Sequence, residues 1–236
     1  MIFKRTTSSN NPDHEHWISV SDLMSGLMMV FLFISIALMR HAFVERDKIK
    51  DVAKAYETTQ IAIYESLKSE FEPDLQRWSA KINKDTLSVE FEDTEVLFQM
   101  GSATLQPRFE EILNDFFPRY IKSLKPYRNS ITEIRIEGHA SSYWSIDATP
   151  ERAYANNMVL SQARTRSVLF YILNMTRTNE EKDWLRKHIA AIGFSSSHLV
   201  MKNGREDPRA SRRVTFRLLT NAEQQIRRIL GSENEN

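Results

Sequence analysis

The chain has 236 residues, which is long enough for one ordinary domain with extra segments or for two small domains. Its 32 basic and 31 acidic residues nearly balance, so no overall charge favours nucleic acid as a partner. The absence of cysteine excludes disulfides, thiol catalysis and thiolate metal sites. Only six glycines are present, and no glycine-rich phosphate-binding motif occurs, which argues against a nucleotide-binding loop.

The chain begins with a polar arm, residues 1–16, in which His14 and His16 flank Glu15. A metal ion is one interpretation of this triplet. Metal-ligand spacing is not evident elsewhere in the sequence, and we therefore predict a polar arm without a fixed structure and no metal site.

An apolar segment follows at residues 17–39, interrupted between Leu23 and Met39 only by two serines and one glycine. At about 1.5 Å per residue it spans roughly 35 Å, enough to cross a hydrocarbon core of about 30 Å. The apolar run is longer than the core of a signal peptide, and no clear cleavage site precedes Arg40. We predict a single uncleaved transmembrane helix.

One acid, Asp22, stands near the start of this apolar segment. A carboxylate at bilayer depth costs about 2.5 to 3.5 kcal/mol, so a chain that keeps one there usually uses it. One interpretation is a helix N-cap, in which Ser19, Ser21 or Asp22 satisfies free amides at the membrane surface. The interpretation that we favour is a carboxyl group, buried in a helix bundle, that gains and loses a proton.

Residues 40–84 are strongly charged but carry apolar residues three, four or seven positions apart, which predicts a helical linker that leaves the membrane. These residues are Ile49, Val52, Tyr56, Ile63, Leu67 and Phe71. The narrow stripe is suited to pairing with a second copy, and a solvated, partly ordered linker is the alternative. The pattern breaks at Pro73, after which we expect a compact domain.

The remaining sequence mixes strand and helix patterns, which predicts an α+β domain over residues 85–220. Alternating or continuous apolar runs predict strands at 87–91, 131–137, 189–194 and 212–220. Apolar residues at helical spacing predict helices at 105–124, 156–174 and 180–188. A final polar helix and a tail are predicted in residues 221–236.

Two motifs in this domain are specific. The first, "NNMVLSQARTRSV", contains Asn157, Leu160 and Arg164, and the second, "SRRV", contains Arg212. Together with "EIRIEGHASS" and "IGF", in this order, they resemble the OmpA-like peptidoglycan-binding domain, whose pattern is G-H-[ST]-D, N-x-x-L-S-x-x-R-A-x-x-V, G and N-R-R-V. The resemblance covers roughly residues 85–220 and implies a mixed β-sheet packed by helices.

The resemblance also implies a site for the peptide stem of peptidoglycan, formed by Asn157, Leu160, Arg164, Arg212 and Ser197. Stem peptides carry carboxylates, and an arginine fork binds a carboxylate through two parallel hydrogen bonds. An asparagine supplies both a donor and an acceptor for an amide backbone. Arg213, one position further along a strand, is expected to face the other way and to be structural.

Several positions depart from the family pattern. The aspartate of G-H-[ST]-D is Ser141 here, and the asparagine of N-R-R-V is Ser211. Many members have an acidic residue a few positions after the glycine, where this chain offers Ser195 or Ser197. The loop before Asn157 is also longer than in a typical member. These departures bear on the affinity for the cell wall and on the kind of stem recognised.

An OmpA-like domain joined to one N-terminal membrane helix with an acid near its start is similar to the stator subunits of ion-driven motors, such as the flagellar MotB proteins. The segment "SVSDLMSGLMMVFLFISIALM", together with "EGHASS", most resembles the MotB-like components of Zorya anti-phage defence systems. The resemblance implies an inner-membrane protein with residues 1–16 in the cytoplasm and the C-terminal domain in the periplasm. Basic residues alone favour the opposite orientation, because four of them follow the helix closely and only Lys4 and Arg5 precede it.

The stator resemblance implies a homodimer that holds two Asp22 carboxyls against a ring formed by a MotA-like multi-helix membrane protein. Protons are the implied coupling ion, with sodium as the alternative, and no other cofactor, no catalysis and no bound nucleic acid are implied. A flagellar-type stator subunit and a passive tether between membrane and wall are the alternatives. A hydrolase at His139, Ser141 and Ser142 is disfavoured because the sequence has no G-x-S-x-G elbow.

Overall fold

The structure, a computed structural model, describes residues 12–92, 94–176 and 178–221. The chain divides into two units, Met1–Asp51 and Val52–Asn236. Helix α1, Pro12–Trp78, supplies the described structure of the first unit and the first element of the second.

In the first unit, α1 presents large apolar side chains on all sides, and those between Val20 and Met39 are exposed. A helix that is apolar all round requires an apolar environment. In the described residues, one helical stretch, Val20–Asp51, is long and apolar enough to cross a membrane. The Ser25 hydroxyl donates to the Ser21 carbonyl at 2.8 Å and is therefore satisfied within the helix.

Asp22 lies inside α1, because the helix already begins at Pro12. An N-cap residue has to flank the first turn, so the N-cap interpretation of Asp22 is wrong. The prediction that the carboxyl carries protons is not affected by this result. Residues 12–16 of the predicted polar arm are helical, while residues 1–11 and the side chains of His14, Glu15 and His16 lie outside the described part.

The second unit contains a five-stranded sheet, a two-stranded hairpin and several helices. The strands are β1 Ala80–Asn83, β2 Ser88–Glu92, β3 Ile131–His139, β4 Ile189–Ser195, β5 Met201–Lys202, β6 Arg205–Glu206 and β7 Arg213–Thr220. The helices are α2 Thr94–Leu97, α3 Pro107–Leu124, α4 Pro150–Met175, α5 Asn179–His188 and α6 Pro208–Ser211, with a 3₁₀ helix at Lys125–Ser130. The predicted final helix falls in residues 222–236, outside the described part.

The main sheet has the order β1-β2-β7-β3-β4, in which only the β3–β4 pair is parallel. Helices α4 and α5 form the crossover between these two parallel strands, as a parallel pair requires. The structure therefore confirms the α+β class and the mixed sheet packed by helices.

An aromatic cluster forms the centre of the core. Phe116 of α3 is its hub, with ring centroids 5.0 to 6.1 Å from five neighbours; these are Phe71, Trp78, Phe91, Tyr120 and Phe216. The neighbours come from α1, β2, α3 itself and β7, so the cluster ties the helical layer to the sheet.

The stripe predicted to pair with a second copy has a different role where the structure describes it. Ile63, Leu67 and Phe71 are fully buried in the core of the second unit, so they are not available to a second chain. Ile49 is partly exposed, and the side chains of Val52 and Tyr56 lie outside the described part. The prediction that this stripe as a whole is a dimer seam is therefore wrong.

The expected break at Pro73 is also wrong, because α1 continues through it to Trp78. A proline inside a helix removes one hydrogen bond and costs about 3 kcal/mol. Burial of Phe71 before it and of Trp78 after it offsets that cost. The last residues of the segment assigned to a helical linker, Ala80–Asn83, form strand β1 instead, because they pair with β2.

Candidate functional site

Helix α4 carries the first motif and lies directly against strands β3 and β4. The strands allow this through two glycines: a Cβ at Gly193 would lie 2.5 Å from the Gln162 nitrogen, and one at Gly138 would lie 2.8 Å from the Ser161 oxygen. Thr149 caps the start of α4 by accepting a hydrogen bond from the Arg152 amide. The helix is thus fixed both along its length and at its end.

Three of the predicted ligand residues, Asn157, Leu160 and Arg164, line one pocket between α4 and the ends of β3 and β7. The pocket measures about 10 Å³, which is space for about one water molecule. A ligand therefore meets these side chains at the mouth of the pocket, unless the walls move.

Arg164 is the main charged group of this site. Its Nε donates to the Ser102 carbonyl at 3.0 Å, and its guanidinium carbon lies 4.9 Å from the centroid of the Phe98 ring. In the described part of the chain it forms no ion pair, and its two Nη groups have no hydrogen-bond partner. Burial, together with the nearby charge of Arg212, lowers the pKa of Arg164 to about 10. A carboxylate at the Nη groups would relieve that penalty.

Asn157 fixes the loop that follows β3. The side chain is buried, and its amide nitrogen donates to the carbonyl oxygens of Ser141 at 3.0 Å and Tyr143 at 3.3 Å. The amide donors that were expected to serve a ligand are therefore used by the loop. A direct ligand contact by Asn157 stays a prediction, and its observed role is to position residues 140–149.

The remaining predicted ligands, Ser197 and Arg212, are not among the described residues that line the Arg164 pocket. The Ser197 hydroxyl is 3.1 Å from the Tyr154 hydroxyl, at the N-terminal end of α4. Arg212 precedes β7 and is close enough to Arg164 for its charge to affect the pKa of that residue.

The serines at the family's Asp and Asn positions have structural roles. Ser211 is fully buried, and its hydroxyl accepts a hydrogen bond from the Val200 amide at 2.9 Å. Ser141 is buried and supplies its carbonyl to Asn157. Ser195 is buried at the end of β4 and donates to the Tyr154 carbonyl at 2.7 Å. The hydroxyls of Ser195 and Ser211 therefore serve contacts within the domain and not the mouth of the pocket.

His139 packs against two aromatic rings at the end of β3. Its ring stacks on Phe194 with centroids 5.4 Å apart and meets the edge of His198 at 5.8 Å. Neither ring nitrogen hydrogen-bonds Ser141 or Ser142, so the base that a serine nucleophile needs is not in place. In the residues that the structure describes, no group of three acidic or histidine side chains could hold a metal ion.

The expectation that Arg213 faces away from the site is wrong, because Arg213 lines the pocket and Arg212 is not among the described lining residues. Arg213 also makes structural contacts. Its Nε lies 3.5 Å from the Glu90 carboxylate, and its Nη1 donates to the His198 carbonyl at 3.2 Å. Burial lowers the pKa of Arg213, while Glu90 and Glu137 oppose that effect.

Two contributors to the site were not predicted, namely Phe98 and the Ser102 carbonyl. Both lie in the connection between α2 and α3, more than 60 residues before Arg164. A backbone carbonyl leaves no trace in the residue types, so only the tertiary structure could reveal this contact.

The sequence matches the OmpA family over residues 97–213, a range that contains the first motif, the arginines of the second and Arg164. A protein described as Zorya protein ZorB, from Escherichia coli strain Crooks, is 51% identical over 230 residues, which cover 97% of this chain and 98% of that protein.

Two solved structures are more distant. A MotB-like protein from Desulfovibrio vulgaris is 21% identical, with 72% of this chain and 94% of that chain covered and a TM-score of 0.49. The periplasmic domain of Helicobacter pylori MotB is 14% identical, with 63% and 87% covered and a TM-score of 0.43.

The two parts of the chain define its class, a protein with one candidate membrane helix and an OmpA-like domain. The chain joins a helix of membrane-spanning length and apolarity to an OmpA-like domain with a mixed sheet. At 51% identity over nearly the whole of both chains, it belongs to the ZorB family of Zorya proteins. The resemblance drawn from the motifs is thereby confirmed.

Proposed function

We propose that this chain is the stator subunit of a proton-driven rotary motor in the bacterial inner membrane that serves anti-phage defence. In this proposal its OmpA-like domain, in the periplasm, holds the cell wall, while Asp22 relays protons in the membrane. The N-terminus then lies in the cytoplasm. Membership in the ZorB family supports the defence role.

The observation that supports wall binding is that Arg164 has no carboxylate partner among the described residues. Arg164 is half-buried, and a cation taken partly out of water without a carboxylate partner is destabilised until one is supplied. The unpartnered Nη groups can form a bidentate pair with a carboxylate of the peptidoglycan stem. The charge of Arg212 adds to the attraction for an anion.

The wall-binding part is tested by sedimenting the full-length, detergent-solubilised protein with purified sacculi. Arg164→Ala should weaken the association by at least about tenfold, and Arg164→Lys should restore only part of it, because an ammonium cannot form the bidentate fork. Arg166→Ala is the matched control, since Arg166 lies on the exposed side of the same helix. Sedimentation of Arg164→Ala equal to that of the wild type, at an equal melting temperature, would refute wall binding at this site.

The membrane part rests on Asp22, an acid inside an otherwise apolar helix. One helix cannot enclose an ion path, so the carboxyl requires a second copy and a multi-helix partner, a ZorA-like or MotA-like protein that surrounds the pair. Moving one charge across 100 mV supplies about 2.3 kcal/mol, which is the energy available for rotation. Protons are the proposed coupling ion, and sodium is the less favoured alternative.

Asp22→Asn tests the membrane part in cells that carry the complete defence system. We expect loss of phage protection at normal protein levels, because asparagine cannot release a proton, and partial protection with Asp22→Glu. Asp47→Asn is the control, since Asp47 is an exposed acid of α1 beyond the predicted span of residues 17–39. If cells with Asp22→Asn were fully protected, the proton relay would be refuted. The passive tether between membrane and wall would then be the remaining function.

A further inference from the structure

The loop between β3 and α4, residues 140–149, exposes large apolar side chains. Tyr143 is 60% exposed, Trp144 39% and Ile146 92%. Contiguous exposed apolar groups on a soluble domain usually mark a binding surface. The stem-binding pocket does not use these three side chains.

This loop is held in place from two sides. Asn157 of α4 donates to the carbonyls of Ser141 and Tyr143, and Glu206 of β6 accepts from both the amide and the hydroxyl of Ser142. A surface whose backbone is fixed in advance loses little entropy when a ligand binds. The exposed rings are therefore presented by an ordered loop.

Two features favour a neutral polymer beside the pocket, and not a membrane surface, as the occupant. The loop is continuous with the pocket through Asn157, which lines the pocket and holds the loop. The sequence of residues 140–149 contains Asp147 as its single charged residue and no lysine or arginine, so it offers nothing to the anionic headgroups of a membrane surface.

We propose that Tyr143, Trp144 and Ile146 form a platform for the sugar rings of the glycan strand, next to the pocket that takes the stem peptide. The inference rests on the proposed wall-binding function and extends it from the peptide to the sugar. The faces of pyranose rings present C–H groups, which are attracted to the negative face of an aromatic ring. The Tyr hydroxyl and the Trp N–H are available to bond sugar hydroxyls at the ring edges.

The test compares two soluble probes, a disaccharide tetrapeptide from peptidoglycan and the same tetrapeptide without sugars, titrated into the full-length protein in detergent. The double variant Tyr143→Ala/Trp144→Ala should bind the disaccharide tetrapeptide roughly tenfold more weakly and the bare tetrapeptide unchanged. Trp144→Phe in place of Trp144→Ala should recover part of the loss, because it keeps an aromatic face.

Phe170→Ala is the matched control, because Phe170 is 58% exposed on α4 and lies outside the loop. Arg164→Ala should weaken both probes, which separates the stem contact from the sugar contact. If the wild type binds both probes equally, or if the double variant loses both equally, the platform is refuted while wall binding stands. If the wild type binds neither probe, both proposals fail. If the double variant lost binding to anionic phospholipid vesicles but still bound the disaccharide tetrapeptide as the wild type does, the loop would be assigned to a membrane. That result would overturn the inference.

Discussion

Arg119 in α3 donates from its Nε to the Glu70 carboxylate of α1 at 2.7 Å. The same guanidinium bonds Asp74 and Asp115 and the backbone carbonyl of Glu70, and it lies 5.1 Å from the centroid of the Phe71 ring. The hydrogen bond from Arg119 is the main reason that the pKa of Asp74 is lowered. One side chain therefore joins the C-terminal turns of α1 to α3.

We expect Arg119→Ala to lower the free energy of unfolding by about 2 to 3 kcal/mol, because it removes several charge-assisted bonds and leaves acids without their partner. The measurement is urea unfolding of the full-length protein in detergent, followed by tryptophan fluorescence. Arg186→Ala is the control, since the Arg186–Asp183 pair is exposed and should change stability by no more than about 0.5 kcal/mol. Equal effects of the two variants would contradict a structural role for the Arg119 network.

Phe116 should be the most sensitive position of the aromatic core. Phe116→Ala removes a fully buried ring that touches residues of α1, β2 and β7, and we expect a loss of about 3 to 5 kcal/mol in the free energy of unfolding. Phe170→Ala, an exposed ring on α4, should lie within about 0.5 kcal/mol of the wild type. A loss below about 1 kcal/mol for Phe116→Ala, measured by urea unfolding, would show that this core repacks around the missing ring.

Helix α3 could be predicted from sequence because its periodicity and its burial coincide. Seven apolar residues at helical spacing within the predicted range 105–124 are buried; they are Phe109, Ile112, Leu113, Phe116, Phe117, Tyr120 and Ile121. The alternation in β2 predicted a strand, but Ser88 and Glu90 on its polar face are buried as well. Charged and polar side chains surround Glu90. The alternation of apolar and polar residues along a strand cannot reveal such tertiary contacts.

Strand β1 was missed because its pairing with β2 decides its structure, and the residues AKIN have no strong strand pattern of their own. The helix through Pro73 was missed because burial on both sides overrides the local preference. At the site, sequence motifs identified Asn157, Leu160 and Arg164 as neighbours, and the structure places them in one pocket. The use of the Asn157 donors by a loop could not be predicted, because the acceptors are backbone carbonyls.

Gly193 should tolerate no side chain. A Cβ there would lie 2.5 Å from the backbone nitrogen of Gln162, so Gly193→Ala must push α4 away from β4. We expect a loss of about 1 to 3 kcal/mol in the free energy of unfolding, together with weaker binding to sacculi, because Arg164 lies on the displaced helix. Urea unfolding and sedimentation with sacculi measure the two effects. Unchanged values in both assays would show that α4 does not need this close approach.

His139 should make stability depend on pH. Burial lowers the pKa of His139 below its ordinary value of 6.5, and the charges of Arg213 and His198 add to this, while Glu137 opposes it. Between the lowered pKa and about 6.5, the unfolded chain binds a proton that the folded chain does not. The contribution of the neutral His139 ring to the free energy of unfolding is therefore complete above about pH 6.5. It is lost as the pH falls from about 6.5 to the lowered pKa.

The measurement is the urea midpoint of the full-length protein at pH 7.5 and pH 5.5, for the wild type and for His139→Gln. We expect the wild type to lose more stability than His139→Gln between these two pH values, because glutamine cannot take up a proton. The comparison between pH values cancels the constant cost of replacing a ring that stacks on Phe194. His188→Gln serves as the control, since His188 packs on Trp184 at the end of α5, away from this cluster. A pH dependence of His139→Gln equal to that of the wild type would mean that His139 is not the group that titrates.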